Sequence, residues 1–238
     1  MAVVAMLVAG GSGSRMHQNI PKQFLTVNER PVIVYTLEAF ERHPEVDAIA
    51  VVCIEGWQNV LEAYAQQFNI SKLKYIFPGG DSAFESRRNG VFELEKIFAP
   101  NDMVLIHDGI RPMVSPEIIS DCIRVAVKYG NAITAIPCPE AMMTTEDGIV
   151  SNGSIPNTNL RRTQTPHAFY LKDICGYYRQ AMESGIKSSV SPCSLIEELG
   201  GHVYFSAGSE KNLKLTTLDD IDIFKALLKT ERSSWLKN

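Results

Sequence analysis

Five cysteines are scattered through 238 residues, and no pair shows CxxC or zinc-ligand spacing. That excludes a sequence-encoded zinc site and favours reduced thiols. Basic residues are not in excess: 23 Lys and Arg face 27 Asp and Glu, a net charge of -4. A general nucleic-acid-binding surface is therefore not expected, although a local basic pocket is compatible with this balance. No apolar run is long enough to span a bilayer. The N-terminal run meets glycine after nine residues without a basic leader, so neither a signal peptide nor a membrane anchor is expected and the reading is cytoplasmic. Internal repeats and long low-complexity tails are also missing. With 45% hydrophobic residues, the chain has the composition of a folded domain.

What is present is an alternation. Residues 2–9, AVVAMLVA, form a continuous apolar run, as in a strand covered on both faces. Residues 31–43 carry helical spacing, with Pro31 placed in the first turn. Strand signals follow at 46–54, 72–77, 102–109 and 132–137, and helix signals at 57–68, 86–98 and 115–130. Ser115, Pro116 and Gly130 supply the start and stop of the last of these helices. The pattern predicts an α/β fold with a mostly parallel sheet and helices on both faces. Residues 138–164 break the rhythm. Two short extended pieces flank Asp147-Gly148, a favourable hairpin turn, which predicts a projecting β-arm. Helices near 171–183 and 192–199, a strand at 202–207 and a helix at 218–229 complete one domain, residues 1–238.

Three short stretches carry the chemistry. In "LVAGGSGSRM" and "PKQFL" (7–16 and 21–25), Gly10, Gly11 and Gly13 follow the first strand, with Arg15 and Lys22 beyond them. Glycines let backbone N–H groups approach an anion, Arg15 adds a planar donor set and Lys22 a mobile charge. The stretch lacks GxxxxGK[ST] and GxGxxG, which excludes a P-loop and disfavours a dinucleotide fold. The plainer alternative is an exposed glycine turn. In "LIHDGIRPM" (105–113), Asp108 ends an apolar strand and needs a partner there. A Mg²⁺ on phosphate oxygens would serve, and so would an ion pair with Arg111 that closes a turn. His107 reads as structural. In "NLKLTTLDD" (212–220), Lys214 is a third cation, with Asp219 at the next helix start.

Taken together, "LVAGGSGSRM", "PKQFL", "HDGIRP", "QTPHAF" and "NLKLTT" resemble the cytidylyltransferases that activate polyol phosphates, over Ala5 to about Leu228. Within that group are ribitol-5-phosphate cytidylyltransferase and its relative acting on 2-C-methyl-D-erythritol 4-phosphate. The resemblance implies a Rossmann-like nucleotidyltransferase fold with a mixed central sheet, and a 138–164 arm that completes a homodimer. It also implies CTP as co-substrate with Mg²⁺, and a polyol phosphate as acceptor. Ala9, Gly10, Gly11, Ser12 and Gly13 correspond to its phosphate loop, and Gly79, Gly80 and Ser86 to its cytosine side. Arg15, Lys22 and Lys214 take the catalytic roles. Asp108 takes the acid and metal-contact role, and Arg111, Asn157 and Lys214 the acceptor side.

The chain departs from the family pattern in one region. Ala141 stands for a threonine, Asn157 and Ala83 for arginines, Ser191-Pro192 for a Thr-Asp pair and His167 for a glutamine. Most of these lie on the acceptor side or the arm, so an altered acceptor is one reading and simple divergence the other. Arg161, Arg162 and Lys187 are candidates to replace the lost charge. D-Ribitol 5-phosphate is the preferred acceptor, methylerythritol phosphate the alternative. A nucleotidyltransferase using UTP or GTP and a catalytically silent homologue are the rival readings.

Overall fold

The structure, a computed structural model, describes residues 1–11 and 20–232. Its central sheet has seven strands: β1 (Val3–Ala9), β4 (Ala48–Cys53), β5 (Leu73–Pro78), β6 (Met103–Asp108), β7 (Asn131–Pro137), β10 (Arg161–Tyr170) and β11 (Phe205–Ala207). Their order is β11-β7-β10-β6-β1-β4-β5. β1 runs parallel to β4 and β6, β4 to β5, and β11 to β7. Only β10 is antiparallel to its neighbours, which makes the sheet mixed. β2 (Thr26–Val27) and β3 (Arg30–Pro31) form a small hairpin, and β8 (Met142–Thr145) and β9 (Ser151–Ile155) a second one. The helices are α1 (Val32–Glu41), α2 (Gln58–Gln67), α3 (Ala83–Glu95), α4 (Pro116–Tyr129), α5 (Leu171–Glu183), α6 (Pro192–Glu198) and α7 (Leu218–Arg232).

Each sheet face has its own core. One face gathers Leu7, Leu105 and Met103 with Leu37 and Phe40 of α1, Leu61 of α2 and Ile119 of α4. The other joins Met6, Val52 and Phe169 to Leu94 of α3, Tyr178 of α5 and Leu195 of α6. Burial of side chains such as Leu37 and Phe40 contributes about 1.5–3 kcal/mol each. A third cluster joins Val27, Val32, Ile110, Leu215 and Phe224, holding α7 and the segment before it beside the end of β6. Gly90 lets α3 lie close on the sheet: a Cβ there would stand 2.5 Å from Val52 and 2.7 Å from Met6.

Local sequence rules account for most boundaries. Ser115 accepts a hydrogen bond from the Ile118 N–H at 3.4 Å, Pro116 opens α4, and Gly130 closes it at φ 95°. Asp147 and Gly148 turn the β8–β9 hairpin, with Gly148 at φ 74°. Several expectations need correction. Pro31 precedes α1, with extended backbone (ψ 143°), because it pairs with Thr26 in the β2–β3 hairpin. α3 begins at Ala83 rather than Ser86, since the Ser82 hydroxyl caps it by accepting from the Glu85 N–H at 3.1 Å. The 202–207 strand shrinks to Phe205–Ala207. Arg161–Gln164 belong to β10 in the central sheet, where Arg161 pairs with Pro137. All five cysteines are free and buried. Among the described residues, no helix is long and apolar enough to cross a membrane.

Candidate active site

Parallel pairing brings the carboxyl ends of the strands to one level. Ala9 is in register with Cys53, Cys53 with Pro78, and Val8 with Asp108. Ligands in open α/β sheets bind beyond these ends. β10 enters from the opposite direction, so its middle, Gln164 to His167, arrives beside His107 and Asp108. Its ladder with β7 is interrupted between Thr163 and His167, where Pro166 has no N–H to give.

One group of expected residues converges here without room for larger side chains. A Cβ on Gly10 would lie 2.9 Å from the Ser86 hydroxyl, and one on Gly79 would lie 3.2 Å from the Cys53 carbonyl and 3.4 Å from Gly10 Cα. The Gly80 N–H donates to Ser86 Oγ at 2.9 Å. Ala9, Gly10, Gly79, Gly80 and Ser86 thus form one wall. Ser12, Gly13 and Arg15 lie outside the described residues. No described atom beyond its own neighbours lies within 4 Å of a Cβ built on Gly11. Gln23, buried and not assigned a role from sequence, donates from Nε2 to the carbonyls of Ala9 at 2.7 Å and Gly11 at 3.1 Å. That clasp fixes the Lys22–Phe24 turn against the glycine loop.

The second group is an acid shared by two cations. Asp108 Oδ2 accepts from Arg111 Nε at 3.0 Å and lies 3.1 Å from Lys214 Nζ. The turn-closing ion pair is therefore present, and Lys214 joins it. Arg111 Nη1 donates to the Asn212 carbonyl at 2.8 Å, and the Leu215 N–H donates to the Ile110 carbonyl at 2.9 Å. Leu215 is buried in the third core cluster, so Lys214 projects from an anchored segment. The next helix, α7, carries Asp219 and Asp220 in its first turn; Thr217 caps it by accepting from the Asp220 N–H at 3.3 Å, and Asp220 Oδ2 accepts in return from the N–H groups of Thr216 and Thr217. Burial pushes the Asp108 pKa up, but Lys214 and then Arg111 outweigh it and hold the carboxyl well below the usual carboxylate range.

His107 is a positioning residue. Its Nε2 lies 3.2 Å from the Arg111 carbonyl, which can only accept, so Nε2 carries the proton. Nδ1 then accepts from the Thr165 hydroxyl at 3.0 Å, and that oxygen accepts from the Asp108 N–H at 3.0 Å. Burial lowers the ring's pKa to about 3, which keeps it neutral.

A cavity of about 150 Å³ opens beside this cluster. Its lining includes Asp108, Arg111, Lys214, Arg87, His167 and Ser191. Burial lowers the His167 pKa to about 4, and among the described residues neither ring nitrogen has a hydrogen-bond partner. Asn157 does not line the cavity. Its side-chain amide donates to the carbonyls of Pro139 at 3.0 Å and Glu140 at 3.3 Å, at the base of the arm. Sequence reasoning assigned no role to Gln23, Arg87, Thr165 or Asn212. Three of these sit inside quoted motifs, whereas Arg87 is one of two adjacent helical arginines and carries no spacing signal.

Among the described residues, no three His, Cys, Asp or Glu side chains gather as a metal site. Asp108 already shares an oxygen with two cations, so this donor set does not fit a resident metal ion. A Mg²⁺ carried in on nucleotide phosphates would need only one such carboxylate.

The model of the 2-C-methyl-D-erythritol 4-phosphate cytidylyltransferase family matches residues 3–230. The chain is 41% identical to a ribitol-5-phosphate cytidylyltransferase of Lacticaseibacillus paracasei, over 95% of this chain and 98% of that one. It is 34% identical to a 2-C-methyl-D-erythritol 4-phosphate cytidylyltransferase of Syntrophotalea carbinolica, over 97% of each chain. The crystal structure of a 4-diphosphocytidyl-2C-methyl-D-erythritol synthase from Anaerococcus prevotii superposes with a TM-score of 0.81 at 24% identity, covering 96% of each chain. The fold is accordingly the Rossmann-like nucleotidyltransferase architecture.

The Asp108 cluster gives a signed pH prediction. A carboxyl with a depressed folded pKa contributes stability above its unfolded pKa of about 4, and that contribution is lost as pH falls. Asp108→Asn should therefore cost about 1–3 kcal/mol near pH 7, with the gap to wild type closing below about pH 4. Urea unfolding across this range measures it; a gap independent of pH would contradict the assignment.

Proposed function

This chain belongs to the 2-C-methyl-D-erythritol 4-phosphate cytidylyltransferase family, and from that premise we propose that it transfers the cytidylyl group of CTP to a linear polyol phosphate. The observation that carries the reading is the Asp108–Arg111–Lys214 cluster, set at strand ends beside the glycine wall. A phosphate oxygen of the acceptor attacks the α-phosphorus of CTP, forming a P–O bond as the bond to pyrophosphate breaks. Both reactants are anionic, so the protein's work is alignment and charge compensation.

In this reading the cytosine lies against Gly79, Gly80 and Ser86, and the triphosphate against Gly10 and Gly11. Lys22 stabilises charge on the α-phosphate, a role that Ser12, Gly13 and Arg15 share by their place in the sequence. Arg111 and Lys214 receive the acceptor phosphate, and Asp108 keeps the two cations together until it arrives. A Mg²⁺ carried on the CTP phosphates would supply charge neutralisation there, with Asp108 as the nearby carboxylate.

Two acceptors are carried, each on a specific observation. The family model over residues 3–230 and the relative at 34% identity bear the methylerythritol name, which is the broader support. Higher identity, 41%, lies with a ribitol-5-phosphate enzyme. Asn157 bonds its own arm, and the exposed hairpin side chains Met143, Ile149 and Val150 suit burial against a second copy of the chain, making the arm a dimerisation element.

A pyrophosphate-release assay should show turnover with CTP and with one of ribitol 5-phosphate or methylerythritol phosphate, and little with glycerol 3-phosphate. Turnover with UTP or GTP but not CTP would overturn the reading. Lys22→Ala should lower kcat by about 10²–10³-fold in a folded protein, and near-normal turnover would remove Lys22 from the chemistry. For the arm, sedimentation velocity should find a dimer that Ile149→Asp with Val150→Asp converts to monomer; a monomeric wild type sinks that proposal.

A further inference from the structure

The cavity beside Asp108 is lined by three cations, Arg87, Arg111 and Lys214, against a single carboxylate among the described lining residues. Arg111 and Lys214 share that carboxylate. Arg87 has none. Its Nη2 donates to the backbone carbonyls of Ser189 at 3.0 Å and Val190 at 3.1 Å, its guanidinium lies near the Tyr178 hydroxyl, and among the described residues its buried Nε makes no hydrogen bond of ordinary geometry. His107 and His167 are neutral here, so the lining carries a surplus of two positive charges. A phosphate monoester near pH 7 carries about -1.5 to -2. Leaving a cation on the wall of a small cavity without a counter-charge is costly unless an anion occupies the space.

The chain also lacks arginine at two places where its family resemblance would put one, Ala83 and Asn157. None of the replacements suggested by sequence lines the cavity. Arg162 pairs with Glu210 and lies 3.9 Å from Glu140, Arg161 donates to the Leu160 carbonyl, and Lys187 is exposed. Arg87 occupies the first part of α3, directly after Ser86 of the glycine wall. It thus joins the two halves of the site.

We propose that Arg87 is a specificity-determining residue of the acceptor site, contributing the guanidinium charge that recognises a phosphorylated polyol as a dianion. This rests on the cytidylyl-transfer reading and deepens it. Arg87 has a second task, tying the 189–190 backbone through two carbonyls, and the two tasks separate by substitution. Arg87→Gln keeps amide donors for those carbonyls and removes the charge; Arg87→Lys keeps the charge and loses the planar donor set.

Steady-state kinetics with CTP and the acceptor that wild type uses provides the test. Arg87→Gln should raise the acceptor KM by about 10–100-fold while the CTP KM stays within about threefold. Arg87→Lys should recover most of that loss. An acceptor KM unchanged in Arg87→Gln, or impaired equally in Gln and Lys variants, would overturn the assignment and leave Arg87 a tether. Should Arg87→Gln not fold, the ¹⁵Nε resonance of Arg87 in wild type, identified by its loss in Arg87→Lys, should move on titration with the acceptor; an unmoved signal overturns the proposal. A wild type inactive with CTP and every polyol phosphate would instead defeat the underlying functional reading.

Discussion

The Asp108 carboxylate is the constraint around which this site is arranged. It ends a buried parallel strand, a position where a lone negative charge is unfavourable. Two cations from segments about a hundred residues apart in sequence converge on one of its oxygens. Their arrival does more than neutralise it. Arg111 reaches on to the Asn212 carbonyl, and the Asn212 amide donates to the Thr165 carbonyl at 2.9 Å. Thr165 in turn bridges His107 and the Asp108 N–H. The end of β6, the start of β10 and the approach to α7 are thereby locked into one polar network. Such a network raises the cost of any rearrangement.

Sheet topology explains why this network meets the glycine wall. Parallel β1, β4, β5 and β6 end at one level, so Gly10, Gly79 and Asp108 share an edge despite their distance in sequence. Close packing then selects residue size. Gly90 lets α3 approach the sheet, and the same helix carries Ser86 to Gly10 and Gly80, with Arg87 beside it. One helix therefore connects the wall read as the cytosine side with the cavity read as the acceptor side.

Much of this was legible in the residues themselves. Strand and helix alternation predicted the parallel core, Ser115-Pro116 and Gly130 marked α4, and Asp147-Gly148 marked the arm's turn. The antiparallel β10 escaped local reading because it contains Pro166 and a broken ladder, both of which weaken a strand pattern. Asp108 and Arg111 were recognisable as a pair from their spacing, and Lys214 only as an isolated cation. Its pairing is a long-range contact fixed by Leu215 in a core cluster, which no local window contains. Gln23 and Arg87 were invisible for the same reason, since their roles depend on which carbonyls the fold delivers to them.

If that carboxylate holds two cations ready for an incoming phosphate, ligand binding must redistribute its ion pairs. The direct measurement is a crystal structure of the protein with its CDP-polyol product. The account predicts the acceptor-derived phosphate between Arg111 and Lys214, with Lys214 Nζ drawn from Asp108 toward a phosphate oxygen and the cytosine against Gly79, Gly80 and Ser86. A product bound elsewhere, with both ion pairs to Asp108 unchanged, would contradict it.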